Sequence, residues 1–358
     1  MYTQVICPAT DEHPRNSEGD IAVLPDGRLL LAYTRFERGS DDDDGAAIAG
    51  CYSSNCGRTW SERRLLHAND ADMNCMSASL LQLPEGDLLL FFLRKNSPTD
   101  LQVCLKRSAD MGETWSEPLQ VTDGKGYYVM NNARVVRLAS GRLLAPMARC
   151  DDATGPVDGS GHLRASCCSS DDNGQTWQAP QAWLDLPKRG AMEPGVAERS
   201  DGSVLMILRT QLGRIYKAIS TDSGGTWGRL QMTAELSPEA PATVARIPGN
   251  GDLLLVWNDN YDRGQDHGGT RCPLRSAISR DGGGIFYRYR TLEGAVTRNY
   301  AYTSISFVGD EALLTYYEQE RRGRISLKLA AVPLSWFYEM EDEHLRKGVY
   351  GESAPAGQ

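Results

Sequence analysis

The sequence predicts an all-β protein, a six-bladed β-propeller of four-stranded antiparallel blades, and three observations carry that prediction. Six apolar hairpins recur along the 358 residues: IAVLPDGRLLLAY, ASLLQLPEGDLLLFF, RVVRLASGRLLAPM, VAERSDGSVLMIL, TVARIPGNGDLLLVW and SISFVGDEALLTYY. Their turn glycines, Gly27, Gly86, Gly141, Gly202, Gly251 and Gly309, stand 59, 55, 61, 49 and 58 residues apart, the spacing of a repeat array. Five of the hairpins lead to an octet of the form S-x-D-x-G-x-T-W.

Each hairpin is justified by its turn. A glycine between two apolar or alternating runs supplies the positive φ that a tight connection demands. The octets are SSNCGRTW from Ser53, SADMGETW from Ser108, SDDNGQTW from Ser170, STDSGGTW from Ser220 and SRDGGGIF from Ser279. Each joins a third strand to a fourth: the acid caps the turn backbone, the glycine takes the unusual φ, and the aromatic packs inward. Four strands per module, repeated six times, make a propeller. The sixth module lacks the octet, so a strand around Thr3–Cys7 is expected to complete it. One domain then spans residues 1–340, with a short helix from Ser335 onward. Residues 341–358 form a C-terminal tail, frayed over Ser353–Gln358.

Composition narrows the function classes. A net charge of −9 argues against a nucleic-acid or anionic-membrane surface. The start MYTQVICPATDEHPR has no basic, apolar leader and no stretch is apolar enough to span a bilayer, so the chain as given looks cytoplasmic. Nine cysteines, at 7, 51, 56, 75, 104, 150, 167, 168 and 272, show no zinc-like pairing and read as buried reduced thiols. No metal or organic cofactor is implied, and the oligomeric state stays open.

In a propeller the leading ends of the inner strands converge on a central channel. Here they read PRNSEGD, MNCMSAS, MNNAR, AMEPG, PEAPA and NYAYTS, rich in acids, amides and tyrosine as a polar-ligand site would be. Glu193 and Arg209 stand sixteen residues apart at the outer ends of one hairpin, so they should meet at one rim. A charged pair there is costly to keep without use. Glu18 and Glu193 each stand nine residues before their turn glycine, so Glu18 faces the same channel.

The octets resemble the Asp-box repeats of the sialidase (neuraminidase) superfamily, and the resemblance covers essentially the whole chain. In that family the boxes lie at the outer blade edges and carry no chemistry. The resemblance implies a retaining exo-glycosidase for a terminal acidic sugar, sialic acid favoured. It implies Tyr302, in a Y-T-S context, as nucleophile, with Tyr300 as the fallback, since two residues apart in a strand point the same way. Glu193 would take the phenol's proton. Arg209 and Arg271 would hold the substrate carboxylate, Arg275 being the alternative to Arg271. Where the family places Arg-Ile-Pro this chain has Ser17-Glu18; Arg15 either bulges in as third arginine or the clamp is incomplete.

The general acid would come from RFERGSDDDDGAAIAG, with Asp43 or Asp44 preferred within the run 41–44, crowding of carboxylates raising some pKa values. Asn132 and Arg134 would bond sugar hydroxyls, and Arg94 is assigned the repeat position of Arg209. His162 reads as an exposed loop histidine. Two rivals stay open: a glycosidase or lyase for a uronate or rhamnose-type sugar, and a non-catalytic glycan-binding propeller.

Overall fold

The computed structural model describes residues 1–152, 155, 161–261, 269–320 and 323–341; the predicted frayed tail lies outside them. The chain begins with β1 (Tyr2–Cys7) and then forms an antiparallel sheet of β2 (Asn16–Val23), β3 (Leu29–Phe36), β4 (Ala46–Ser53) and β5 (Arg64–His67). The next hairpin builds β6 (Asn74–Gln82), β7 (Leu88–Ser97), β8 (Asp100–Ser108) and the short β9 (Leu119–Gln120). A third set follows as β10 (Tyr127–Val129), β11 (Val136–Arg137), β12 (Leu143–Cys150) and β13 (Leu163–Ser170). Two further four-stranded sheets are β14 (Met192–Glu198), β15 (Val204–Arg209), β16 (Arg214–Ser220) and β17 (Gln231–Leu236), then β18 (Thr243–Arg246), β19 (Leu253–Asn258), β20 (Leu274–Ser279) and β21 (Tyr287–Glu293). The last comprises β22 (Arg298–Val308), β23 (Glu311–Glu320) and β24 (Ile325–Pro333), with β1 paired to β24.

The third set departs from the expected four equal strands. Its inner strand is split: between β10 and β11 the backbone turns at Ala133, φ 54°, and Asn131–Asn132 leave the ladder. β10 pairs with both β12 and β8, which joins the second and third sets into one eight-stranded sheet. Its outermost strand is reduced to two bridges, Ala165 with Leu184 and Ser169 with Gln178. The expected helix after Ser335 is one 3-10 turn, Leu334–Tyr338.

Packing explains the leucine runs. Second strands such as β3, β7, β15 and β19 are covered on both faces, so nearly every position is buried rather than alternate ones. Each such leucine stabilises the fold by roughly 1.5–3 kcal/mol. The octet aromatics fill the gaps between sheets: Trp60, Trp115, Trp177, Trp227 and Phe286 each pack against a separate apolar cluster. In each complete octet the aspartate accepts from the serine and from the threonine, as in Ser170 Oγ to Asp172 at 2.7 Å and Thr176 N to Asp172 at 2.9 Å. All nine cysteines are unpaired and eight are buried, Cys56 being the exposed one. Among the described residues no helix is long and apolar enough to cross a membrane.

The inner strands lean on one another. β2 packs against β6 and β22, β14 against β12 and β18, and β18 against β22. Side chains stitch them across: Asp20 Oδ2 accepts from Leu80 N at 2.8 Å, and Thr243 Oγ1 donates to Thr303 O at 2.6 Å. Four of these strands share one irregularity. The register slips by one residue between Ser17 and Asp20, Met76 and Ser79, Met192 and Gly195, and Ala301 and Ser304. At each bulge one residue takes left-handed backbone: Glu18 (55°), Ser77 (61°), Glu193 (39°) and Tyr302 (57°). Such conformations cost about 1–3 kcal/mol apiece and re-aim the side chain out of the strand's alternation.

Candidate active site

Beside the bulges of β14 and β22 lies a cavity of about 390 Å³. Its wall carries Arg15, Arg189, Arg209 and Arg271, the acids Asp42 and Glu193, and the phenols of Tyr127, Tyr302 and Tyr317. Val129, Leu163, Met192 and Ile325 give it an apolar side. A second cavity of about 370 Å³, around Asp20, Arg134 and Arg246, contains neither Tyr302 nor Glu193.

Arg209 and Arg15 are held by carboxylates and Arg271 by neutral oxygens. Arg209 Nη1 donates to Glu193 Oε2 at 2.5 Å and its Nη2 to Glu239 Oε1 at 3.3 Å. Arg15 Nη2 donates to Glu18 at 2.9 Å and its Nη1 to Asp42 at 2.6 Å. Arg271 Nη1 donates to the Tyr317 hydroxyl at 2.9 Å, and its guanidinium lies 5.5 Å from the Tyr302 ring centre. Burial would weaken the charge of these arginines, but Asp42 and Glu18 at Arg15, Glu193 at Arg209 and Tyr317 at Arg271 outweigh it. Each stays cationic.

The titration of the other groups follows from those neighbours. Burial, and then the Glu193 carboxylate, push the Tyr302 phenol above its ordinary value, against the pull of Arg271 and Arg209. It is a neutral phenol at physiological pH. Arg15 holds Asp42 below the usual carboxylate range, although 70% of that side chain is exposed at the cavity mouth. Burial raises Glu18, which also accepts from Thr34 and Ser77 at 3.1 Å each.

Several sequence expectations fall elsewhere in space. Asp43 and Asp44 do not line the cavity: Asp43 pairs with Lys95, and Asp44 accepts from Asp41 N at 2.8 Å, capping its own loop. Asp42 is the residue of the run that lines it, and its pKa falls rather than rises, because the Arg15 guanidinium faces it at 2.6 Å. Arg94 bonds Asp70 O at 3.0 Å instead. Arg209 pairs with Met192, and the counterpart across the β6 bulge is Leu93, paired with Met76; Arg94 is one residue further and so points to the other face.

Asn132 is fully buried and donates to Gly19 O and Tyr302 O, at 2.7 and 3.0 Å, bracing strands rather than meeting a sugar. Arg134 is buried against Thr243 and Ala242 on the second cavity, its pKa lowered to about 10 by burial. Arg275 pairs with Asp259 and Glu341, at 2.9 and 2.6 Å, away from the cavity. Tyr300 is buried in the apolar cluster beside Tyr316, because the bulge at Tyr302 breaks the alternation that would have aligned the two. His162 bonds Lys188 O at 2.7 Å and Asp185 at 2.6 Å, and does not line the cavity. Glu18 sits behind Arg15 rather than on the wall.

Arg189, Glu239, Tyr317 and Tyr127 were not foreseen. Tyr317 had a signal: it pairs with Ala301 across the bulge, the position that Arg209 holds opposite Met192. Among the described residues one trio of potential metal donors, His67, Asp70 and Cys75, lies within 4.8 Å elsewhere, where Lys106 and Arg94 already supply cations to it.

A family model described as a BNR repeat-like domain matches residues 27–314, most of the chain. The chain belongs to this sialidase-like BNR-repeat family. BNR-repeat relatives include a sialidase from Micromonospora viridifaciens, 26% identical over 289 residues, covering 70% of this chain and 43% of that protein. A sialidase from Bacteroides fragilis is 25% identical over 230 residues, covering 61% of this chain and 39% of its own length. This BNR-repeat chain thus spans about two-fifths of the curated relatives it matches. The solved Trypanosoma rangeli sialidase, in complex with 2,3-difluorosialic acid as a covalent intermediate, superposes with a TM-score of 0.75 at 14% identity. That match covers 94% of this chain and 59% of the other, and at such identity it is a likeness of all-β fold.

Proposed function

We propose that this BNR-repeat protein is a retaining exo-glycosidase that cleaves a terminal acidic sugar, a sialic acid, from a glycan. We read its sheets as the six blades of one propeller, with β1 completing the last blade and the cavity on the ring axis. One observation carries the reading: Arg15, Arg209 and Arg271 line the same cavity as Tyr302 and Glu193.

The three guanidiniums clamp the sugar carboxylate, each offering a planar fork that lysine lacks. The Tyr302 phenol attacks the anomeric carbon. A neutral nucleophile suits a carbon that bears a carboxylate, which would repel a carboxylate attacker. Burial and Glu193 keep the phenol protonated, so attack requires a base, and Glu193 takes the proton. As the tyrosyl–carbon bond forms, the bond to the leaving oxygen breaks and that oxygen takes a proton from Asp42. Water then gives its proton to Asp42 and attacks the same carbon. Tyr302 departs, recovers its proton from Glu193, and the configuration is retained.

Asp42 is ionised in the free site because Arg15 faces it at 2.6 Å. A substrate carboxylate on Arg15 cancels that influence, so binding itself loads the acid with its proton. Hydrolysis of an aryl sialoside tests the reading. The wild type should release the aryl group, and Tyr302→Phe should lose at least about a hundredfold in kcat with folding intact. Equal rates in the two proteins would remove Tyr302 from the mechanism. Turnover of uronate or rhamnose glycosides alone would reassign the substrate.

A further inference from the structure

Arg189 and Glu239 have no part in the chemistry above, yet Arg189 lines the same cavity and Glu239 pairs with it from behind. Glu239 lies in the tight turn between β17 and β18, where Ala240 N donates to Pro238 O at 2.7 Å, and its side chain is 1% exposed. One carboxylate oxygen accepts from both Arg189 and Arg209, the latter at 3.3 Å. The other accepts from Gln211 Nε2 at 2.9 Å. The backbone carbonyl of the same residue accepts from Arg271 Nη2 at 3.4 Å. Glu239 does not itself line the cavity.

A single buried residue therefore holds Arg209 through its carboxylate and Arg271 through its carbonyl. That linkage has a physical purpose. Arg209 and Arg271 repel one another, each weakening the other's charge in a buried site. Glu193 holds one terminal nitrogen of Arg209 and Glu239 the other, so the planar fork is fixed at both tips. A buried carboxylate is costly to keep unless its partners are well made, and Glu239 satisfies both oxygens.

We infer that Glu239 is a positioning residue for the anion clamp: it fixes the spacing of Arg209 and Arg271 to one carboxylate and ties both to Arg189, the fourth guanidinium of the wall. The inference rests on the proposed role of the clamp. It predicts a selective defect, because a residue that merely supports the fold would weaken every ligand alike.

The test is calorimetric binding of a dehydrated sialic-acid analogue and of its uncharged carboxamide, with steady-state kinetics on the aryl sialoside. Glu239→Gln should weaken the carboxylate ligand about 10- to 100-fold, the scale of one charge-assisted hydrogen bond, and leave the carboxamide within about threefold. KM should rise by a similar factor while kcat changes little, the pattern of lost uniform binding. Gln211→Ala, on the surface side of the same carboxylate, should do likewise at about fivefold, and it serves if Glu239→Gln does not fold. Equal weakening of both ligands, or no weakening of either, would overturn the positioning role while leaving the glycosidase reading intact. A wild type that binds neither ligand and cleaves nothing would overturn both.

Discussion

Replacing Glu193 with glutamine separates its pairing with Arg209 from the role of base proposed for it. Glu193 and Arg209 are buried partners, with side chains 10% and 6% exposed. Removing one member of a buried pair costs about 3–5 kcal/mol when the other is left alone. Arg209 is not left alone here, because Glu239 still accepts from its Nη2 at 3.3 Å and a glutamine oxygen can accept from Nη1. The cost should therefore fall to about 1–3 kcal/mol, or a shift in Tm of roughly 1–4 °C for a chain of this size. The chemical duty is larger. Glutamine cannot accept the phenol's proton, so kcat should fall about 10²- to 10⁴-fold, the usual contribution of a positioned base. Differential scanning calorimetry and initial rates on an aryl sialoside measure the two effects on one preparation. A stable variant retaining more than a tenth of wild-type kcat would refute the assignment of Glu193 as base.

Other outcomes follow from the same charges. Since Arg15 depresses Asp42, with Lys95 and Arg271 acting in the same direction and Glu18 against, occupation of Arg15 by a carboxylate must raise the Asp42 pKa. The complex should therefore take up a proton, and affinity for the dehydrated analogue should rise as pH falls from about 7 towards 4; Asp42→Asn should flatten that slope, whereas pH-independent binding by the wild type would exclude the coupling. Among the octets, hydrogen bonds from Thr114 and Thr176 lower Asp110 and Asp172 to about 2. Their folded pKa values lie below the unfolded value near 3.9, so their contribution is present above about pH 4 and lost as pH falls through about 2. Thr176→Val should thus lower stability at pH 7, with the difference from wild type shrinking as pH falls through about 2, and unchanged stability at pH 7 would show that this octet is not a stabilising element.

The hairpins, octets and the pairing of β1 with the last sheet were legible because each rests on local chemistry: turn glycines, capping acids and uninterrupted apolar strands. The site was legible only where it obeyed the same counting. Glu18 and Glu193 share a distance to their turn glycines, and both stand at a bulge. The bulge itself leaves no mark on composition, and it separates Tyr302 in the cavity from Tyr300 in the core. Arg94 was misplaced for a related reason, a one-residue offset that reverses a side chain in a strand. The acid run was ambiguous because four identical side chains differ only in where the loop aims them, and Arg15, Lys95 and the Asp41 backbone each claim a different one. Arg189 and Glu239 meet across fifty residues, a distance that no local pattern encodes.

Intact-mass and peptide-level mass spectrometry after exposure to a 2,3-difluorinated sialic acid bear most directly on the tyrosine mechanism. The slow substrate should leave one covalent sugar on the protein, mapped to the peptide bearing Tyr302, and the label should vanish in Tyr302→Phe. A label on a carboxylate such as Glu193 or Asp42, or turnover with no covalent species under conditions that trap it, would contradict the mechanism.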